Sequence, residues 1–93
     1  MSHNLLKNKH GIIFGALNEE SIAWKVAEKS VEEGASIILT NTPIALRSGE
    51  INKLSEKTNS KIIPADATSV EDLEQLFDEA QKYFNGKIDF VLH

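Results

Sequence analysis

The 93-residue chain reads as an α/β domain built on a doubly wound, parallel sheet. Short β-branched apolar runs alternate with amphipathic helical stretches, and glycine, asparagine or proline marks most of the junctions. The order is βαβαβαβ. Alternation of this kind gives parallel strands joined by right-handed crossovers, with helices on both sheet faces and an expected spatial order of 3-2-1-4.

The first strand is Gly11-Ile12-Ile13-Phe14, a short run ending at Gly15 as a buried parallel strand does. A helix follows over residues 21–33, with Ile22, Ala23, Val26, Ala27 and Val31 on its apolar face and Lys25, Glu28, Lys29 and Glu32 opposite. Gly34 suits the left-handed position past its end. Residues 36–40 form the second strand, closed by the turn-like Asn41-Thr42-Pro43. A weaker helix is expected over residues 45–57 on Ile51 and Leu54, with Gly49 disfavouring its first turns. Asn59-Ser60 breaks it.

Lys61-Ile62-Ile63-Pro64 is the third strand, its proline at the end where a ladder donor is spared. Thr68-Ser69-Val70-Glu71 fits a capping box opening the last helix. Val70, Leu73, Phe77, Ala80 and Phe84 make its stripe, widened by Leu76 and Tyr83. Asn85-Gly86 stops it, and residues 88–92 are the fourth strand.

Composition removes several classes of function. The chain is 41% hydrophobic and 26% charged, with acids and bases interleaved to a net charge of −4, so it has no electrostatic footprint for nucleic acid. Cysteine is absent, which excludes disulfides, thiolate metal sites and a cysteine nucleophile. No apolar run approaches transmembrane length and no signal-peptide core is visible, so no membrane partner is expected and the cytoplasm is the expected compartment. No metal site is expected.

Ligands of doubly wound sheets bind outside the carboxyl ends of the strands, at the switch point between strands one and four. That confines the search to residues 15–21, 41–43, 66–68 and His93. A helix N-terminus offers unpaired amides and partial positive charge to a phosphate, worth roughly 0.3–2 kcal/mol. Gly15 permits a tight turn and close backbone approach, and Ser21 can offer an amide and a hydroxyl. The full G-x-G-x-x-G is missing, and the spacing fits equally a strand-ending turn followed by an ordinary N-cap. Asp66, by itself, fits a turn former. His93 and Trp24 fit packing roles. A receiver domain would need a carboxylate at the tip of strand one, where Phe14-Gly15-Ala16 has none. A phosphate-loop NTPase would need Gly-Lys-Ser/Thr after Gly15.

The stretch from Gly11 to Trp24, with Gly15, five residues and then Ser21-Ile22-Ala23, resembles the N-terminus of bacterial enoyl-acyl-carrier-protein reductases, divergent short-chain dehydrogenases. Glu33-Gly34-Ala35, Ala65-Asp66-Ala67 and the run from Ile88 to His93 extend the likeness over nearly the whole chain. The resemblance implies a Rossmann-type fold, with residues 1–93 the N-terminal dinucleotide-binding part, truncated before the catalytic half. It implies that Gly15, Ser21 and Ile22 meet the pyrophosphate and adjoining ribose, that Thr42 faces the adenine ribose, and that Asp66 and the Ala67 amide hold the adenine. It further implies hydride transfer to a trans-2-enoyl-acyl-carrier-protein and a homotetrameric whole protein. The tyrosine and lysine that act on the thioester are expected beyond residue 93, so no catalytic residue falls within the chain and no turnover is expected from it alone. NADH is the expected cofactor, because the family it resembles more often uses it and no Arg or Lys follows Thr40 directly to take a 2′-phosphate. The acid that would mark NAD at the end of strand two is missing too, and NADPH is the alternative. A non-catalytic nucleotide-binding fragment, or another short-chain dehydrogenase/reductase, is the competing reading, since the same loop would serve either.

Overall fold

The computed structural model describes residues 7–16, 19–47, 49–66 and 68–92. Its elements are β1 (His10–Phe14), α1 (Ile22–Glu32), β2 (Ser36–Thr40), α2 (Pro43–Leu46), α3 (Ile51–Thr58), β3 (Lys61–Ile62), α4 (Val70–Tyr83) and β4 (Phe90–Leu92). The four strands form one sheet in the order β3-β2-β1-β4, as the alternation predicts, and every pairing is parallel. β1 pairs along its whole length, from His10 opposite Ser36 to Phe14 opposite Thr40.

Strands covered on both faces have no polar side, which explains the unbroken runs Ile12-Ile13 and Ile37-Ile38-Leu39. Alternate residues go to opposite cores. Ile13, Ile37 and Leu39 pack with Trp24 and Ala27 of α1 and with Ile51 and Leu54 of α3. Ile12, Phe14 and Ile38 pack with Leu76 and Ala80 of α4 and with Phe84, Ile63 and Ala65. Each fully buried Ile or Leu contributes roughly 1.5–3 kcal/mol of transfer free energy. Gly11 is small for a packing reason, because a Cβ there would run into the Phe90 ring from β4.

Several expectations need correction. The helix expected over residues 45–57 is two helices. Thr42 caps a short first one with Pro43 in its first turn, so Pro43 starts a helix rather than merely closing a strand. The chain then passes through Gly49 at φ +78°, a backbone state that stops the first helix, before α3 begins. The cap of α4 is Ser69, not Thr68. The Ser69 hydroxyl accepts from the Asp72 amide at 3.3 Å, which puts Asp72 rather than Glu71 in the third helical position. Val70, expected in the buried stripe, is 68% exposed, because it is the first residue of the helix and lies beyond the apolar stripe's contact with the sheet. Tyr83 is also exposed, while Leu76 and Ala80 are buried. β3 and β4 are shorter than expected, and Pro64 falls just beyond the β3 ladder.

Candidate functional site

The carboxyl ends of β1, β2 and β3 lie side by side, because all strands run one way and the order places β2 between its neighbours. Gly15 leaves β1 at φ +83°, exposed, with its amide donating to the Thr40 carbonyl at 3.0 Å. Among the described residues, a side chain on Gly15 would meet nothing within 4 Å. The glycine is therefore required for its backbone angle rather than for a close packing contact with them.

Ser21 is the N-cap of α1. Its extended backbone (φ −73°, ψ 144°) turns the chain into the helix, and its hydroxyl accepts from the Trp24 amide at 3.3 Å. The first intrahelical bond runs from the Lys25 amide to the Ser21 carbonyl, so the Ile22 and Ala23 amides precede the helical ladder. Ile22 is 80% exposed. No acidic residue lies in the first turn of α1, whereas Glu71 and Asp72 occupy that of α4. The positive end of α4 is thus neutralised by its own side chains, whereas the first turn of α1 carries no acid, with Glu19 and Glu20 just ahead of its cap.

Thr42 caps α2, accepting from the Ala45 amide at 3.2 Å, and its own amide donates to Asn41 Oδ1 at 2.8 Å. Asp66 follows the tip of β3. Its Oδ1 accepts from both the amide and the hydroxyl of Thr68, at 2.9 and 2.7 Å, and these two bonds hold its carboxyl below the usual carboxylate range. The Asp66 amide donates to Asp72 Oδ2 at 2.9 Å, so the first turn of α4 anchors the loop. Ala67 and His93 lie outside the described residues, as do positions 17 and 18 of the first loop.

Backbone bonds stitch these segments together: Gly15 to Thr40, and the Ala65 amide to the Asn41 carbonyl at 3.0 Å. Asn41 falls among the strand-tip positions that the sequence marks, as a turn former with no assigned role, whereas Thr40 and Asp72 fall outside them. The Ser69-to-Asp72 spacing is the sign of the cap. Thr40 is fully buried, and its hydroxyl finds no hydrogen-bond partner among the described residues. A cavity of about 370 Å³ lies on the flank between α1 and α3, lined by Glu19, Glu20, Trp24, Glu50 and Lys53. Three of these five residues are glutamates, a lining that disfavours a pyrophosphate there. Among the described residues, no group of three His, Asp or Glu could hold a metal ion, and no helix is long and apolar enough to cross a membrane.

A family model described as enoyl-(acyl carrier protein) reductase matches residues 15–93. The chain belongs to that family. It is 30% identical over 92 residues to enoyl-[acyl-carrier-protein] reductase [NADH] 2 of Rhizobium meliloti, covering 98% of this chain and 34% of that protein. Among solved structures, FabI from Alistipes finegoldii superposes with a TM-score of 0.96 at 63% identity, over 99% of this chain and 35% of that one. The FabI–NADH complex from the same organism gives 0.95 at 64% identity, over 98% of this chain and 32% of that one. The chain thus spans about a third of the length of these reductases.

Proposed function

We propose that residues 1–93 form the dinucleotide-binding part of an NADH-dependent enoyl-acyl-carrier-protein reductase of fatty acid synthesis. The observation that carries this is the turn into α1: a glycine at positive φ, leading to a capped helix with no acid in its first turn. The reductase [NADH] names of the relatives and the NADH complex of a close structural neighbour support the choice of cofactor.

In this reading the Ile22 and Ala23 amides and the Ser21 hydroxyl bind the pyrophosphate, and Gly15 lets the backbone approach it. Ile22 covers the adjoining ribose. Thr42 faces the adenine ribose, where Pro43 and Ile44 follow in place of a cation, which favours NADH over NADPH. Asp66 accepts from the adenine amino group and the Ala67 amide donates to its ring. The Thr68 hydroxyl and amide lower the pKa of the Asp66 carboxyl, which favours its acceptor form. Bound NADH supplies the hydride that reduces the enoyl thioester; these residues orient the cofactor and leave the thioester to groups outside residues 1–93. A cytoplasmic, homotetrameric reductase acting on acyl-carrier-protein thioesters is the whole protein inferred from family membership.

Titration of the 93-residue chain with NADH and with NADPH tests this. Tighter NADH binding is expected, abolished by Gly15→Val, which puts a branched side chain at positive φ. Tighter NADPH binding refutes the cofactor assignment, and a Gly15→Val chain that binds as before refutes the site. The chain alone is expected to oxidise no NADH with a crotonyl thioester, and measurable turnover would show that the catalytic groups lie within it.

A further inference from the structure

We infer that Asn41 is the positioning residue that holds the Gly15–Ala16 turn against the tips of β2 and β3, a role that rests on the dinucleotide reading above. The β1 ladder ends at the Gly15 amide, bonded to Thr40, after which the backbone leaves the sheet at positive φ. Beyond that point the turn is held from the side. Asn41 Nδ2 donates to the Ala16 carbonyl at 3.2 Å, across 25 residues of sequence. The orientation of the amide is dictated by its partners. The Ala16 carbonyl can only accept and the Thr42 amide can only donate, so Nδ2 must face the first and Oδ1 the second. The Asn41 carbonyl meanwhile accepts from the Ala65 amide at 3.0 Å. One half-buried residue joins the ends of three adjacent strands, and Ala16, which it grips, is fully buried.

The simpler account makes Asn41 a turn residue serving only the start of α2 through Oδ1. Asn41→Asp separates the two, because it keeps the acceptor for the Thr42 amide but turns the donor facing Ala16 into an acceptor. Three measurements on the complete 93-residue chain decide the matter. In the unaltered chain, an Overhauser contact between the Asn41 side-chain amide and Ala16 is expected, and its absence overturns the inference whether or not the variant folds. In Asn41→Asp, exchange of the Gly15 amide is expected to quicken by about threefold to tenfold, the equivalent of one neutral hydrogen bond, while Ile12 and Ile38 exchange as before. NADH binding is expected to weaken by a similar factor. Gly15 exchange unchanged in the variant, or quickened with no loss of NADH affinity, overturns the positioning role. An unaltered chain that binds no NADH refutes the dinucleotide reading and the role with it, and the Gly15 exchange then shows whether the tether itself exists.

Discussion

At the scale of single residues, two hydroxyls have opposite fates. The Ser21 hydroxyl caps a helix, and that use is visible in the sequence because the pattern of a small hydroxyl residue before an apolar stripe is local. The Thr40 hydroxyl lies inside the core at 0% exposure, opposite Phe14, with no hydrogen-bond partner among the described residues. Its predicament depends on β1 pairing beside it, which no window around Thr40 contains. A buried hydroxyl without a partner costs about 1–3 kcal/mol of desolvation. Thr40→Val, nearly isosteric, is therefore expected to raise stability by about 1 kcal/mol, read as a higher urea midpoint at unchanged slope. A fall of that size would mean that the hydroxyl has a partner after all. Asn41 is a similar case. Its turn propensity is local, but its grip on Ala16 exists only once two strand tips are neighbours.

At the scale of elements, the sequence pattern located helices better than it located their ends. Thr68 and Ser69 both carry a hydroxyl, and both have an acid three residues on, Glu71 and Asp72 respectively. The structure chooses Ser69 because Asp66 takes the Thr68 hydroxyl and because Asp72 is needed to hold the Asp66 amide. Ser69→Ala is accordingly expected to cost about 0.5–2 kcal/mol of stability, the usual loss for a serine cap. Thr68→Ala should cost less and act on the Asp66 loop, raising the pKa of Asp66, whose carboxyl Thr68 holds down. Equilibrium unfolding of both variants decides between the caps, and a larger loss for Thr68→Ala would restore the first assignment. The division of α2 from α3 was hinted at by Gly49, but the apolar spacing across it is too sparse to show a break.

At the scale of the whole molecule, strand order was legible because parallel strands with helical crossovers admit few arrangements. The ladder of β4 on β1 follows from that order, but the side-chain contact that reinforces its start was not legible, since it joins Asp89 to His10, 79 residues away. Asp89 Oδ2 accepts the His10 amide at 2.8 Å, the Asp89 amide donates to the His10 carbonyl at 2.7 Å, and Lys87 pairs with the carboxylate at 3.3 Å. The His10 amide, and to a lesser degree Lys87, hold the Asp89 carboxyl below its ordinary value of 3.8. A carboxyl more acidic in the folded chain than in the unfolded one adds stability above the unfolded value and loses it as pH falls through the folded one. At the other limit, Glu28 raises Lys57 above 10.5, so that pair contributes fully below this value and is lost as alkali deprotonates the lysine. Stability is thus expected to hold a plateau at neutral pH and to drop on acidification below about 3.8, the decline owing part of its depth to Asp89. Asp89→Asn keeps an acceptor for the His10 amide but has nothing to protonate. It should be less stable than the parent at pH 7 and converge on it in acid, as followed by urea midpoints across the acid range. If the two curves stay parallel down to the lowest pH at which both fold, the link from β4 to β1 does not depend on the Asp89 charge.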